Sequence, residues 1–289
     1  MMIIDSKIMS RLKKRDEKSN KKDNGTLLAV CGSERYRGAA VIAAAGGLRS
    51  GVGLYYAASP ECVLSALNQR FPEAVLLPMQ TGDFGNISYG ELSKILIAAE
   101  RSTAILCGCG IGISSGVRFL IKGILENTKV PIILDADALN IVSENTDILE
   151  YGEGRCIITP HFGEMARLTG KRYDQIKSDP ERIAVEFSER YGCVTVLKGS
   201  SVYIAVPGAD IAVYSNPNSG LAKGGSGDFL AGIIASLAAQ GNDTSVSAYA
   251  GVYIHGQAAA FTRERLCRES MLATDVADDI YKVFRMSEG

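Results

Sequence analysis

The chain has 289 residues, of which 46% are apolar and 22% are charged, and its formal net charge is −1. This length and balance predict a globular protein with a large core, and they argue against a general nucleic-acid binder, which would carry a basic stripe. No apolar run is long enough to cross a bilayer, and residues 1–25 form a charged leader without the apolar segment of a secretory signal.

In chain order after the leader, apolar runs alternate with helical patterns. Runs rich in Val, Ile and Leu predict buried strands at 26–31, 52–58, 103–107, 131–135, 156–159 and 194–197, with helices at 38–50, 60–70, 117–127 and 180–191. Two further runs, 202–206 and 211–214, are joined by PGAD and predict a hairpin that forms a local antiparallel edge. Three helices are predicted from Asp228 onward.

Continuous apolar strands that alternate with helices indicate a mainly parallel sheet covered on both faces. The predicted fold class is therefore α/β, a three-layer α/β/α sandwich, and a single domain over residues 1–289 is the simplest organisation. The cysteines are odd in number and lie mostly in apolar runs: Cys31, Cys62, Cys107, Cys109, Cys156, Cys193 and Cys267. Reduced, buried thiols in a cytoplasmic protein are expected.

The segment NSGLAKGGSGD, residues 218–228, precedes an apolar helix and is the most informative in the chain. Its glycines let backbone N–H groups converge, and the helix start adds unpaired donors and a positive dipole end, so an anion is favoured there. Asp228 falls in the first helical turn, where the helix end should keep it ionised and able to act as a base beside a phosphate. The alternative is an ordinary loop in which Ser226 or Asp228 caps the helix.

Other candidate groups also follow predicted strands. In TPHFGE, His161 either hydrogen-bonds a polar ligand or is a surface imidazole. In VLKGS, Lys198 either supplies positive charge to phosphates or is a solvated lysine in a turn, and the second is the usual case for a lone Lys-Gly pair. His255, in an apolar stretch, is expected to be a histidine of the core or of helix packing.

Two acidic residues and a run of glycines mark further strand ends. ILDADALN leads a strand into Asp135 and Asp137, which predicts one inward carboxylate and one helix N-cap, with a site for hydrated Mg²⁺ as the alternative. The glycines of GCGIG, residues 108–112, allow a ligand to approach the backbone closely, although many turns share this pattern.

In this order, GSERYRGAA, GLRSG, CGCGIG, ILDADALN, TPHFGE, VLKG and SGLAKGGSGD, followed by YIHG at 253–256, resemble the ADP/ATP-dependent NAD(P)H-hydrate dehydratases, a ribokinase-like branch. The resemblance runs from about Arg15 to the C-terminus. It implies a ribokinase-like fold and a lyase that restores NADH or NADPH from the hydrated forms, NADHX and NADPHX. Nucleotide phosphate converts the hydroxyl into a better leaving group, and AMP or ADP and phosphate are released.

The resemblance also implies roles for individual positions, which are carried over residue by residue. It implies hydrate binding by Ala39, Gly110, His161 and Asp228, with Asp228 as the catalytic base. It implies nucleotide binding by Lys198, Gly199, Ser200, Ser201, Val202 and Gly227, and an anion hole formed by Gly224, Gly225 and Gly227. ADP or ATP is the implied co-substrate, together with Mg²⁺ whose ligands the sequence does not fix.

The family resemblance implies a homo-oligomer, often a tetramer, and a separate epimerase, because no epimerase domain precedes this one. Three motifs depart from the family pattern. Phe162 replaces the second proline of TPHPGE, Ser219 replaces the proline of N-P-G, and Asn20 replaces the histidine of the leader's Ser-His-Lys. Phe162 could alter the loop that holds His161 without removing the imidazole, and the change to Ser219 is mild. The change to Asn20 puts any role of the leader's histidine in doubt.

Two other functions fit parts of the sequence. A ribokinase-like kinase of a small alcohol, such as a vitamin precursor or a sugar, would use the same G-x-G-D loop, but the TPHFGE and DADALN pair favours the dehydratase. A nucleotide-binding regulator without catalysis is disfavoured by Asp228 and the intact glycine loop. The sequence leaves open the choice between ADP and ATP and between NADHX and NADPHX.

Overall fold

A ten-stranded sheet crosses the molecule, and a computed structural model describes it within residues 1–288. Residue 289 lies outside the described part. In chain order the strands are β1 (Met2–Ile3), β2 (Thr26–Val30), β3 (Leu54–Pro60), β4 (Val75–Met79), β5 (Ala104–Cys107), β6 (Ile132–Leu134), β7 (Cys156–Ile158), β8 (Val194–Leu197), β9 (Val202–Ala205) and β10 (Ala212–Tyr214).

The spatial order of the strands is β1-β10-β9-β8-β7-β6-β5-β2-β3-β4. Every neighbouring pair is parallel except the two that contain β9, which runs against both β8 and β10. The mainly parallel sheet that the sequence predicts is therefore confirmed. So is the antiparallel hairpin of β9 and β10.

Eleven α-helices cover the sheet. They are α1 (Arg37–Arg49), α2 (Glu61–Arg70), α3 (Leu92–Ala99), α4 (Ser115–Asn127), α5 (Asp137–Val142), α6 (Phe162–Thr169), α7 (Tyr173–Ser178), α8 (Pro180–Tyr191), α9 (Ser226–Ala239), α10 (Thr244–Arg265) and α11 (Ala273–Glu288). Side chains of α1, α2 and α9 to α11 pack on one face of the sheet, and those of α3 to α8 on the other.

Alternation along the strands divides the core into two layers. In β2, Leu27 and Ala29 point to one face, whereas Leu28 and Val30 point to the other, and all four are buried. Because successive strand residues face opposite ways, a strand covered on both sides must be apolar at every position. The three-layer α/β/α sandwich is thus confirmed.

Helix α9 is held tightly against α1, and this fixes the position of its N-terminus. A Cβ added to Gly46 would lie 2.3 Å from the carbonyl oxygen of Phe229, and one added to Gly232 would lie 2.2 Å from that of Ala43. Glycine at these points lets the two backbones approach as no larger residue would. The Ala- and Gly-rich composition of both helices therefore serves close packing.

The first residues of the chain are part of the sheet. Strand β1 pairs in parallel with β10, with Met2 opposite Ala212, and the 3-10 helix that follows buries Ile8 and Met9. The sequence placed the hairpin at an edge of the sheet, and this prediction was wrong because β1 covers β10. Within residues 1–288 no helix has the length and apolar character needed to span a membrane.

Candidate active site

The carboxyl ends of β5, β6, β7 and β8 meet along one edge of the sheet, because these neighbouring strands are parallel. The segments that follow them carry Cys109, Asp135, His161 and Lys198. An isolated parallel β-bridge pairs the backbone of His161 with that of Lys198. Ligands of open α/β sheets usually bind beyond this edge, so these residues form the floor of a candidate site.

Asp135 is the most deeply buried carboxylate there, with 1% of its surface exposed. Its Oδ1 accepts hydrogen bonds from the Thr159 hydroxyl at 2.7 Å and from Lys198 Nζ at 2.7 Å. The Lys198 side chain is only 19% exposed. The alternative interpretation from the sequence, that Lys198 is a solvated lysine in a turn, is therefore excluded. Burial alone would lower the pKa of Lys198, but the carboxylates of Asp135 and Glu164 outweigh it and raise that pKa.

Asp228 lies in the first turn of α9 and faces the same cluster. Neither Ser226 nor Asp228 caps the helix, because the N-cap residue is Gly225 and no side chain caps it. One ligand atom from each of Cys109, Asp135 and Asp228 lies within 4.8 Å of the other two. Asp228 as a residue is partly exposed.

Burial and the nearby Asp135 carboxylate raise the pKa of Asp228 to about 6. The sequence predicted that the helix end would favour the ionised form, whereas burial and the like charge of Asp135 favour the protonated form. The upward shift still leaves Asp228 mostly ionised near neutrality. A carboxylate with such a pKa is a stronger base than an ordinary aspartate.

The glycines ahead of Asp228 lie at the start of α9, where the sequence predicts an anion cradle. Gly225 adopts a left-handed conformation with φ of +92°, and a Cβ at Gly227 would lie 3.0 Å from Lys198 Nζ. The helix N-terminus and an ammonium group therefore face the same small space. Both favour an anion.

We expect Gly225→Ala to weaken ADP binding at least about tenfold, equivalent to about 1.4 kcal/mol. The left-handed backbone costs an L-residue about 1–2 kcal/mol, and the added Cβ would lie 2.5 Å from Ile42 Cδ1. Titration calorimetry measures the affinity. Gly154→Ala is the matched control, since Gly154 has φ of +73° with nothing within 4 Å of its Cβ position. Equal ADP affinity in both variants would contradict a cradle at Gly225.

The glycine-rich loop after β5 forms the opposite side of the site. A Cβ at Gly110 would lie 2.7 Å from the Cβ of Ala39, so these two predicted hydrate-binding positions are neighbours. The Gly112 amide donates to Asp137 Oδ2 at 2.9 Å. The prediction that Asp137 is an N-cap was wrong, because the N-cap of α5 is Ala136. Asp137 instead holds the glycine loop in place.

His161 is the N-cap of α6, and its Nδ1 accepts from the amides of Gly163 and Glu164. Nε2 therefore carries the proton, and it lies 3.4 Å from Glu164 Oε1. Burial, with Lys198 and Arg167 nearby, lowers the pKa of His161. Burial raises the pKa of Glu164 to about 7. The imidazole is thus a neutral, half-exposed hydrogen-bond donor. The presence of Phe162 in place of proline leaves this donor in position.

The loop between β8 and β9 carries the remaining predicted nucleotide positions. Gly199 and Ser200 are exposed, Ser201 shares a hydroxyl contact with Ser215 at 3.2 Å, and Val202 begins β9. The Phe162 ring lies against Gly199, with its Cζ 2.8 Å from the position of an added Cβ. Phe162 therefore shapes one wall of this loop.

His255 lies behind the cradle in the packing between α9 and α10. It is buried, its Nε2 lies 3.3 Å from Ser226 Oγ, and its ring packs on Phe229. Burial, together with the charge of Lys198, lowers the pKa of His255 to about 4. The prediction of a packing histidine is confirmed.

The structure brings Lys198, Gly227 and Asp228 together near Asp135, with His161 paired to Lys198. Ala39 lies against Gly110, the residue that follows Cys109. Lys223 is different, because its ammonium reaches the carbonyl oxygen of Glu269 instead. Sequence reasoning missed the contribution of Cys109, which it treated as a small apolar residue. The signal was its place between two glycines at a strand end.

The carboxylate oxygens suit Mg²⁺ only in part. Lys198 and Thr159 occupy Asp135 Oδ1, which leaves Asp135 Oδ2 and the Asp228 carboxylate as oxygen donors. Mg²⁺ typically takes one or two carboxylates and completes its octahedral shell with water and substrate phosphates. These two side chains fit that mode of binding, whereas the thiol between them does not contribute to it.

The fold is that of an α/β protein whose candidate site lies beyond the carboxyl ends of parallel strands and beside a helix N-terminus. Its architecture is shared with a ribokinase-like superfamily protein from Enterococcus faecalis V583, with a TM-score of 0.85 and 23% identity over 99% of this chain and 95% of that one. The family model described as NAD(P)H-hydrate dehydratase matches residues 27–282. The chain therefore belongs to the NAD(P)H-hydrate dehydratase family, as the sequence motifs indicated.

Individual relatives agree with this assignment. The ADP-dependent (S)-NAD(P)H-hydrate dehydratase of Neisseria meningitidis serogroup B is 36% identical over 87% of this chain and 82% of its own length. The bifunctional NAD(P)H-hydrate repair enzyme Nnr of Moorella thermoacetica is 36% identical over 96% of this chain, which spans 53% of that relative. The ADP/ATP-dependent NAD(P)H-hydrate dehydratase of Bacillus subtilis, co-crystallised with ATP and Mg²⁺, has a TM-score of 0.82 and 27% identity over 99% of this chain and 98% of that one.

Proposed function

We propose that this chain dehydrates NADHX or NADPHX to NADH or NADPH and consumes ADP or ATP in doing so. The observation that carries the proposal is the Asp228 carboxylate, which lies beside the anion cradle with its pKa raised to about 6. A substrate hydroxyl placed at this carboxylate would lie beside a base and beside the cradle that would hold the phosphoryl group during its transfer. Membership in the dehydratase family supplies the substrate class.

In the proposed reaction, Asp228 takes the proton of the substrate hydroxyl while the hydroxyl oxygen bonds to the terminal phosphorus of the nucleotide. The bond between that phosphorus and the nucleotide breaks, releasing AMP from ADP, or ADP from ATP. Phosphate then departs from the ring carbon, and loss of a ring proton restores the dihydropyridine. Phosphate leaves far more readily than hydroxide, which is why the nucleotide is spent.

The surrounding residues would stabilise the transferred group. We assign the anion hole to Gly224, Gly225 and Gly227, whose segment opens at the positive end of α9. Lys198 would offset the phosphate charge, since its ammonium adjoins Gly227. Preorganised donors of this kind contribute several kcal/mol, about 2.7–4 for one oxyanion donor in a protease.

The remaining predicted positions would hold the two substrates. We assign the hydrate to Ala39, Gly110 and the Nε2–H of His161, and the nucleotide to the loop from Gly199 to Val202. Mg²⁺ would offset the charge of the nucleotide phosphates, and Asp135 Oδ2 is the carboxylate oxygen that would hold it while Asp228 serves as the base. We further propose a cytoplasmic homo-oligomer, of tetrameric order as the resemblance implies, and a separate epimerase in the same repair process.

A donor comparison tests the proposal. Purified protein is incubated with hydrated NADH and either ADP or ATP, and the absorbance of the reduced cofactor is followed. Recovery of absorbance with a nucleotide, and none without it, is the expected result. Turnover of a vitamin or sugar alcohol with no loss of hydrate would favour the kinase instead. Tight nucleotide binding without any consumption would favour a regulator.

The raised pKa of Asp228 predicts the pH dependence of turnover. Only the ionised carboxylate accepts a proton, so kcat/KM should fall about tenfold per pH unit below a pKa near 6. It should level off above that pH until another group titrates. A pH profile of kcat/KM for hydrated NADH measures this. An inflection near the ordinary aspartate value of 3.8 would contradict the proposed environment of the base.

A further inference from the structure

The direction in which the chain adds strands to the sheet reverses between β2 and β5. From β2 the chain runs outward through β3 to β4, and β5 then pairs with the other side of β2. Helix α1, which follows β2, packs on one face of the sheet, whereas α4, which follows β5, packs on the opposite face. Open α/β sheets commonly bind ligands beyond the carboxyl ends of two strands whose connections diverge in this way.

The loops that follow these two strands are hydrogen-bonded to each other. The Gly32 amide donates to the carbonyl oxygen of Cys109 at 2.8 Å. The buried Ser33 hydroxyl donates to the carbonyl oxygen of Gly110 at 2.9 Å. A Cβ added to Gly110 would lie 2.8 Å from the Cβ of Tyr36 and 3.1 Å from its carbonyl oxygen. Tyr36 is therefore held against the glycine-rich loop after β5.

The Tyr36 side chain is not covered by the rest of the protein, since 46% of the residue is exposed. The guanidinium carbon of Arg35 lies over the ring, 5.3 Å from its centroid. Aromatic rings gain free energy when a ligand ring packs on them, and the nearby cation adds an attraction for anionic groups. An exposed ring that is fixed at its base thus offers a contact surface at the switch point.

The charges around the ring are positive. Arg37 donates through Nε to the carbonyl oxygen of Glu34 at 3.0 Å. Glu34 Oε2 lies 2.6 Å from the position of a Cβ at Gly85, so this carboxylate is turned toward the loop that contains Gly85. The ion pairs that arginines form within residues 1–288 do not include Arg35. The Arg35 guanidinium is therefore available to a phosphate group.

We propose that Tyr36 and Arg35 bind the hydrated cofactor at the switch point, with the hydropyridine ring packed on the Tyr36 ring and the pyrophosphate beside the Arg35 guanidinium. The identity of this ligand rests on the proposed dehydratase function. Gly110 follows Cys109, whose sulfur lies within 4.8 Å of an Asp228 carboxylate oxygen. A ring whose hydroxyl reaches Asp228 would therefore extend toward Tyr36. A small alcohol without a pyrophosphate would not reach Arg35, so the pair selects a dinucleotide.

Titration calorimetry with hydrated NADH, on the full chain without nucleotide, tests the Tyr36 contact. Tyr36→Leu keeps the Cβ that packs against Gly110 but removes the ring, and it should weaken hydrate affinity at least about tenfold. Tyr36→Phe keeps the ring and should bind within about threefold of the unaltered protein. Tyr151→Leu is the matched control and should leave the affinity unchanged, because Tyr151 is 51% exposed and precedes β7, at the opposite edge of the sheet.

Two further measurements separate a ligand contact from a structural role of Tyr36. In Tyr36→Leu the KM for hydrated NADH should rise while kcat stays near its unaltered value, because the ring contact is made in both the ground state and the transition state. The affinity for ADP and the midpoint of thermal unfolding should match those of Tyr36→Phe. Equal hydrate affinity in Tyr36→Leu and Tyr36→Phe overturns the proposal.

The Arg35 contact is tested through its dependence on salt. Arg35→Gln should weaken hydrate binding at least about threefold in roughly 0.01 M salt, and the difference should shrink in roughly 1 M salt, where exposed charges are screened. Arg190→Gln is the matched control, because Arg190 also lies over a tyrosine ring, that of Tyr191, at 5.0 Å. Unchanged affinity in Arg35→Gln at low salt would contradict the assigned role of the guanidinium.

The outcomes distinguish this inference from the proposed function. If hydrate is converted and Tyr36→Leu leaves both KM and affinity unchanged, the switch-point contact fails alone. If hydrate binds through Tyr36 but no preparation converts it, the proposed reaction fails and the contact stands. If the unaltered protein neither binds nor converts hydrated NADH, both fail.

Discussion

Asp228→Asn is expected to lower kcat for hydrate conversion by about 10² to 10⁴-fold, the usual contribution of a general base. The amide fills the same volume but cannot accept the hydroxyl proton. Nucleotide affinity should stay within roughly tenfold, about 1.4 kcal/mol, because the cradle is formed by backbone. Folded stability should not fall, since burial already disfavours the ionised carboxylate.

Steady-state kinetics with hydrated NADH, titration calorimetry with ADP and thermal unfolding measure these three quantities. Asp210→Asn serves as the control, because that carboxylate is 87% exposed. Near-normal turnover in Asp228→Asn would refute the proposed role of this residue. A loss of turnover that merely follows a loss of folding would also count against it.

Lys198→Met is expected to lower the free energy of unfolding by about 3–5 kcal/mol, the usual cost of leaving one member of a buried ion pair without its partner. The side chain is replaced by one of similar length, so packing is largely kept. What is lost is the charge that stabilises Asp135, whose side chain is only 2% exposed. Nucleotide affinity should fall as well, because the same ammonium adjoins Gly227.

Denaturant unfolding measures this stability change. Lys122→Met is the matched control: its ion pair with Glu126 is at the surface, where such pairs contribute about 0–1 kcal/mol. The double variant Lys198→Met/Asp135→Asn removes both charges and should recover much of the lost stability. A loss below about 1 kcal/mol in the single variant would show that Asp135 does not depend on Lys198.

The sequence predicted most of the central sheet because its strands are continuous apolar runs. It missed β4, which contains Pro78 and lies at the sheet edge, where an irregular strand pattern is tolerated. It also missed β1, since two residues in a charged leader carry no periodic signal. The local apolar pattern thus predicted the buried central strands, but it did not predict the edge strands β1 and β4.

The candidate site likewise has features that local motifs predict and features that depend on tertiary packing. Glycine loops and strand ends are local features, so Asp228, His161 and the cradle were found from the motifs. The pairing of Asp135 with Lys198 joins residues 63 positions apart and depends on which strands become neighbours. The raised pKa of Asp228 depends on burial that the motif does not encode. These properties follow from tertiary packing alone.

Strand β1 has a consequence for synthesis on the ribosome. Its partner β10 is made some two hundred positions later, with Met2 opposite Ala212. Strand β1 must therefore stay unpaired until β10 has been translated. Contacts between such distant segments form slowly because a long loop must close first. Strand β1 should accordingly be among the last parts of the sheet to dock.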